Sequence, residues 1–307
     1  AGRLDALEFH DALARAGAHL EIDVGPDATT LMLWTLGRSA GRALELLADA
    51  VARPRFEAAE FERVRTWRLN RLRQLRDLPP AVADQLFART LYRGHPYGHL
   101  PIGTEAALRT MSLDEVVAFH RSTYAPGRAT LIAAGEIDAT ALEREARRVF
   151  GDWEGAPAAP LVDPAALFSP EPPVERLVIV DRPNAAQSEL RIGHVAAPRR
   201  TPDYHALLVL NTLLGGQFVS RINMNLRERK GYTYGARSAF DFRRGPGPFV
   251  VQASVQTDAT AEAVRETLDE LAAVRGDRPP TPDELRLARA ALTRGYPRGF
   301  ETAEQIA

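Results

Sequence analysis

The chain has 307 residues, 45% hydrophobic and 26% charged, the profile of a globular protein with material for two ordinary domains. A formal net charge of -1 gives no basis for binding nucleic acid or an anionic membrane, and no apolar run of about 18 residues is present to span a bilayer. Cysteine is absent, which removes disulfides, thiolate metal sites and cysteine nucleophiles, and suits the cytoplasm and the periplasm equally.

The positive charge is nearly all arginine, and Lys230 is the only lysine. Arginines dispersed in this way read as a compositional bias, not as a phosphate-binding surface. The chain opens on AGRLDALEFHDAL and stops at FETAEQIA, each inside a helical pattern and without an initiator Met or a leader. Both ends therefore read as cut, and the expectation is the middle of a longer protein.

Leu4, Leu7, Phe9 and Leu13, closed by Gly17, predict a short first helix. Residues 19–24 and 29–36 alternate as two strands joined at Gly25-Pro26-Asp27. Ser39 is the expected N-cap of a helix to about residue 52, with Leu44, Leu47 and Val51 on one face. Residues 57–76 predict a long helix striped by Phe61, Val64, Leu72 and Leu75 and ended by Pro79-Pro80. A helix over residues 80–91 leads into the loop YRGHPYGHLPIG. Ser112 caps a helix to about residue 124, residues 129–135 read as a buried strand, and residues 139–150 as a helix.

The proline-rich stretch over residues 154–175 reads as a semi-rigid linker. Beyond it come strands over residues 177–181 and 188–195 and helices over 202–214 and 219–228. Strands over 232–240 and 249–256 follow, then helices over 259–274 and 281–294. The order strand, turn, amphipathic helix, Arg-Pro break and second helix occurs over residues 31–75 and again over 249–294, as in a duplicated domain. The fold class expected is α+β: two homologous domains, residues 1–153 and 176–307, each a mainly antiparallel sheet with helices on one face.

His95 and His99 stand four apart, the spacing of two metal ligands on a helix face. Pro96 and the flanking glycines forbid a helix there and no acid completes a set, so the loop reads as structural. The remaining histidines are isolated, and no HxxEH, GxSxG, P-loop or dinucleotide glycine pattern occurs.

The chemistry concentrates in residues 210–240, LNTLLGGQFVSRINMNLRERKGYTYGARSAF. Gly215 and Gly216 end one helix and begin another. Ile222, Met224 and Leu226 face a core, and Arg227, Glu228, Arg229 and Lys230 lie beyond it. Gly231 then turns the chain into a strand bearing Tyr232 and Tyr234. An arginine and a tyrosine held at a helix–strand junction can bond the carbonyls of an extended peptide.

The core GG-x3-SR-x4-LRE-x2-GY of this stretch resembles the second-domain signature of the M16 (insulinase or pitrilysin-like) zinc metallopeptidases. The likeness is greatest to the short bacterial members that pair two subunits. The segment GHPYGHLPIGTEAALRTMSLDEVVAFHRSTYAPGRATLIAAGEID is similar to parts of their first domain. Members of the family carry HxxEH on a first-domain helix, where two histidines bind zinc and the glutamate activates water, and a later helix supplies a third, glutamate ligand. The resemblance implies that HxxEH falls before Ala1 and that EAAEFERVRTWRLNRLRQLRDLPP is the later helix. The family's paired glutamates then fall on Asn70 and Arg71. An arginine in that register repels Zn2+, and Glu60 and Glu62 lie more than two turns away.

The resemblance therefore implies a zinc-free, substrate-binding subunit of a heterodimer. No catalytic or metal-binding residue is expected in this chain, and Zn2+ is expected in an HxxEH-bearing partner subunit. Arg227 would anchor a short or unfolded peptide together with Tyr232 or Tyr234, with Gly215 and Gly216 beside them. Two alternatives stand next to this: a complete zinc metalloendopeptidase with HxxEH upstream of residue 1, and a non-enzymatic scaffold like the core proteins of respiratory complexes. The expected setting is a bacterium, with the periplasm favoured slightly over the cytoplasm.

Overall fold

The computed structural model describes residues 1–155 and 176–307. The stretch read as a linker lies, apart from residues 154 and 155, outside the described residues. The described chain forms two compact units. One takes in residues 1–72, 101–155 and 298–307, the other residues 73–100 and 176–297.

In the first unit, α1 (Ala6–Arg15) starts at a capping box in which Asp5 and Glu8 each take the other's amide. Gly17, at φ +60°, lets the chain leave the helix in a conformation that other residues adopt at a cost. β1 (His19–Val24) and β2 (Thr29–Trp34) follow as an antiparallel hairpin, with His19 opposite Trp34 and Val24 opposite Thr29. The helices α2 (Ala40–Ala52) and α3 (Ala58–Arg76) come next, the last turn of α3 falling in the second unit together with α4 (Pro79–Tyr92). α5 (Glu105–Thr110), α6 (Leu113–Thr123) and α7 (Ala139–Phe150) return to the first unit. Its core joins Leu44, Leu47 and Ala48 of α2 to Val149 of α7, with Leu20, Leu31 and Leu33 of the hairpin packed against them.

Three expectations for this unit change. Ser39 does not cap α2. It closes a 3-10 turn over Gly37–Ser39, its backbone (φ -103°, ψ 0°) lies outside the extended region that an N-cap needs, and its side chain makes no capping bond. The apolar stripe of α3 is only partly used, since Leu72 is buried while Val64 is exposed. Residues 129–135 form no ladder among the described residues and are largely exposed, Ile132 at 64%. An apolar run becomes a strand only where a neighbouring edge accepts its N–H and C=O groups, and among the described residues the sheet of this unit is the β1–β2 pair alone.

The second unit is built on an antiparallel sheet in the order β3–β5–β4, from β3 (Gln187–Val195), β4 (Thr233–Phe240) and β5 (Pro248–Gln256). As the middle strand, β5 is buried along most of its length, apolar from Pro248 to Val251 and then alternating, with Gln252, Ser254 and Gln256 the less buried positions. Residues 177–181, expected as a further strand, pair with nothing among the described residues, and Ile179 is 79% exposed. α8 (Tyr204–Leu214) and α9 (Arg221–Asn223) come between β3 and β4. α10 (Thr260–Ala273) and α11 (Pro282–Gly295) follow β5, while α12 (Ala303–Ile306) falls in the first unit and takes no part in the core of the second. Leu213, Leu214, Ile222, Leu226, Ala236, Phe249, Val251, Val255, Ala263 and Ala288 make one core from the sheet and these helices. Helices set against small antiparallel sheets make the architecture α+β, as the sequence predicts.

Candidate functional site

The end of α8 is fixed by close approach. The amides of Gly215 and Gly216 both return to Asn211 O, at 2.9 and 2.7 Å. The Ser238 amide of β4 donates to Gly215 O (2.9 Å), and the Ser238 hydroxyl to Asn211 Oδ1 (2.8 Å). A Cβ on Gly215 would sit 2.6 Å from the Ser238 amide nitrogen, and one on Gly216 would sit 2.7 Å from Asn211 Nδ2. Only glycine lets helix and strand meet here.

The loop from Gln217 to Ser220 turns two large apolar side chains outward, Phe218 and Val219, while Ser220 is fully buried. Beneath it Asn223, itself buried, donates from Nδ2 to Phe218 O (2.7 Å) and accepts at Oδ1 from the Ala236 amide (3.0 Å). One short side chain thus joins the loop to β4.

Arg221 and Arg227, six positions apart, have opposite environments. Arg221 grips Glu284 of α11 with Nε and Nη2, both at 2.6 Å, and also donates from Nη1 to Arg278 O (2.6 Å) and from Nη2 to Pro279 O (3.1 Å). The Arg221 hydrogen bonds hold the Glu284 carboxyl down at about 2, and the same pairing raises the Arg221 guanidinium further. Arg221 is a structural clamp. The Arg227 guanidinium makes no hydrogen bond among the described residues. Its Cζ lies 4.4 Å from the centroid of the Phe218 ring, and its Nε approaches Glu228 Oε1 at 3.5 Å.

Arg227 sits on a π-helical turn, Met224–Arg229, where an α-helix over residues 219–228 was expected. The Lys230 amide reaches back five residues to Asn225 O (3.1 Å), and Gly231, at φ +68°, ends the turn. α10 holds the turn from behind. Asn225 Nδ2 donates to Glu266 Oε2 (2.9 Å) and Glu270 Oε1 (3.1 Å), and Lys230 Nζ pairs with Glu266 Oε1 at 2.6 Å. Lys230 first, then Asn225, lowers the Glu266 carboxyl below its ordinary value, and Glu266 raises the Lys230 ammonium. Sequence periodicity could not show this widened turn, because the apolar spacing of Ile222 and Leu226 suits an ordinary helix as well.

The two tyrosines left open by the sequence part company. The Tyr232 amide donates to Leu226 O and its carbonyl accepts from Gln256 N, both at 2.9 Å, and its ring packs against the core. Tyr234 is 92% exposed. The cause is a β-bulge: Thr233 pairs with Val255 and Ala236 with Ala253, so Tyr234 and Gly235 together oppose Ser254. Thr233 fixes the bulge, its hydroxyl donating to Ser254 O (2.7 Å) and accepting from the Gly235 amide (3.1 Å). The extra residue breaks the period-2 alternation and turns Tyr234 to solvent, while Ala236 returns to the core.

The histidine loop is structural. Buried His95 accepts the Tyr97 amide at Nδ1 (3.0 Å), and its ring stands 4.7 Å from that of Tyr97, while His99 is exposed. Tyr92 and Tyr97 each bond the β4–β5 loop, at Pro246 O (2.9 Å) and Gly245 N (3.0 Å). On α3, Asn70 and Arg71 are exposed, and a guanidinium offers no lone pair to a metal. Among the described residues no group of three or more His, Asp or Glu side chains is placed to hold a metal ion. The residues at hand do not fit the zinc that the family pattern implies.

The fold is that of a solved M16 domain. It superimposes with a TM-score of 0.90 on the crystal structure of a peptidase M16 inactive domain from Pseudomonas fluorescens, 24% identical, covering 99% of this chain and 72% of that one. A protease from Helicobacter pylori gives the same TM-score at 20% identity, covering 99% and 74%. In sequence, residues 110–292 match the family model described as the peptidase M16 inactive domain, and the chain belongs to the M16 peptidase family. Proteins of Mycobacterium tuberculosis and Mycobacterium bovis named as uncharacterized zinc proteases are each 29% identical over 300 residues, 96% of this chain and 67% of theirs. The chain thus spans about two thirds of their length.

Proposed function

We propose that this chain is the substrate-binding, zinc-free subunit of a heterodimeric M16 peptidase that degrades short or unfolded peptides. The observation that carries this reading is the contrast between Arg221 and Arg227. The first has all three guanidinium nitrogens bonded within the fold. The second presents its donors unbonded on a turn braced by α10, with the exposed Tyr234 seven residues along. Such a pair suits the backbone carbonyls of an extended peptide, which accept hydrogen bonds whatever the side chains. Gly215 and Gly216 serve the site indirectly, by letting α8 and β4 meet beside it. Asn70 and Arg71 support the zinc-free part of the reading, since neither can replace an anionic ligand. The bond-breaking residues then belong to a partner subunit bearing HxxEH.

Copurification with such a partner tests the proposal. The pair is expected to show chelator-sensitive peptidase activity, and Arg227→Ala to lower its kcat/KM about 10- to 100-fold with assembly intact, the cost of a charge-assisted hydrogen bond. Unchanged kcat/KM would remove Arg227 from the site. The names of the mycobacterial relatives favour a second reading, in which this chain is part of a complete zinc peptidase. Metal analysis of the protein expressed with its full coding sequence decides between them, since stoichiometric zinc there would support the second reading.

A further inference from the structure

We propose that Phe218 is a positioning residue for Arg227, its ring holding the guanidinium in a plane from which the N–H donors meet a peptide. The inference rests on the anchoring role given to Arg227 above and adds a residue to it.

The ring is 60% exposed, so burial of its own surface does not account for its placement. Its closest cationic neighbour does: Arg227 Cζ stands 4.4 Å from the ring centroid, well inside the range of a cation–π contact. A guanidinium stacked on an aromatic face keeps its donors in its own plane, at the edges of the stack, where they remain accessible. The stack also opposes the nearest competitor for those donors, Glu228, whose Oε1 is 3.5 Å from Arg227 Nε. A long arginine side chain otherwise loses much rotamer freedom when it binds, and ordering it beforehand removes part of that loss.

The backbone under the ring is itself fixed. The Gly216 amide returns to Asn211 O (2.7 Å), the Ser220 amide to Gln217 O (3.1 Å), and Phe218 O accepts from buried Asn223. Asn223 is also the acceptor for Ala236, the residue that closes the bulge carrying Tyr234. The ring, and through it Arg227, is thus referred to the same side chain that ties down the strand of the tyrosine. Arg229, two residues on, has no ring over it and no hydrogen bond among the described residues, so the stack is particular to Arg227 and not a general habit of this basic cluster.

A double-mutant cycle tests the coupling. A short, capped, fluorescein-labelled peptide of Ala, Val and Gly is titrated into the wild-type chain, Phe218→Leu, Phe218→Tyr, Arg227→Gln and the double variant Phe218→Leu/Arg227→Gln. Arg227→Gln is expected to weaken binding about tenfold. Phe218→Leu, which keeps an apolar side chain but removes the aromatic face, is expected to weaken it about threefold, and Phe218→Tyr to restore it. In the Arg227→Gln background Phe218→Leu should change nothing. The thermal midpoints should all lie close together, because Phe218 is exposed and the Arg227 guanidinium makes no hydrogen bond among the described residues. An equal loss from Phe218→Leu in both backgrounds would show Phe218 touching the peptide independently and overturn the proposal, as would a Phe218→Leu chain that binds like wild type. An Arg227→Gln chain that binds like wild type, or a wild-type chain that binds no peptide, would instead overturn the anchor reading, and this proposal with it.

Discussion

Replacing Glu284 by Gln isolates the clamp that ties Arg221 to α11. Gln keeps the size of the side chain and can still accept the Thr281 amide, so the capping box that starts α11 survives and only the charge of the pair with Arg221 is lost. A carboxyl held at about 2 instead of 4.5 would carry about 3 kcal/mol of folding free energy if water were excluded. Glu284 is 31% exposed, and solvent screening brings the expected loss at neutral pH to about 1–1.5 kcal/mol. The sign follows from the depressed pKa: the stabilisation is fully present above 4.5, the unfolded value, and disappears as pH falls toward about 2. Urea unfolding of wild type and Glu284→Gln, followed by far-UV circular dichroism from neutral pH downward, should show a constant gap until about pH 4.5 and a closing gap below it. The thermal midpoint should fall by about 2–4 °C for each kcal/mol lost. A gap under about 0.5 kcal/mol at neutral pH, or one that persists unchanged into acid, would refute the view that Arg221 and Glu284 are a charge-dependent clamp.

The tyrosines give a paired prediction. Tyr232→Ala should destabilise the fold by about 2–4 kcal/mol in chemical denaturation because its ring packs on the core, whereas Tyr234→Ala should leave stability within about 0.5 kcal/mol and weaken peptide binding. Gly215→Ala should cost more than about 2 kcal/mol, or yield no folded protein, since its Cβ has nowhere to go beside the Ser238 amide; a stable variant with an unchanged melting curve would contradict the close approach of α8 and β4. Incubation of the chain with EDTA should leave its unfolding midpoint unmoved, and a drop of several degrees would reveal a stabilising metal.

Much of the helical framework is legible in the sequence because the signals that start helices are local. Ser112 caps its helix as expected, in a box with Glu115, and the same pattern recurs at Asp5 with Glu8 and Thr281 with Glu284. Strands depend on partners far along the chain. Residues 129–135 and 177–181 have the composition of buried strands, yet both stand exposed and unpaired among the described residues, whereas PFVVQASVQ, of the same character, lies between two neighbours. The candidate site was half visible. The residue types and spacing of Arg227, Tyr232 and Tyr234 point to peptide binding, but choosing between the tyrosines takes the bulge. That bulge is fixed by Thr233 and by Asn223 from another element, and no periodicity reports it. Phe218 and Asn223 escaped attention for the same reason: an aromatic in a short loop and an asparagine within a helix gain meaning only from what they touch.

The lone lysine of these 307 residues has a practical consequence. A lysine-specific endoprotease has a single cleavage position in this chain, the peptide bond after Lys230, between the π-helical turn and β4. Both amides flanking that bond are engaged, Lys230 N with Asn225 O and Gly231 N with Arg227 O, so the bond becomes a substrate only when the turn opens. The rate of that one cut, read as two fragments on a gel, measures how often the Arg227 turn comes undone while the rest of the molecule stays folded. Added peptide that uses the turn should slow it.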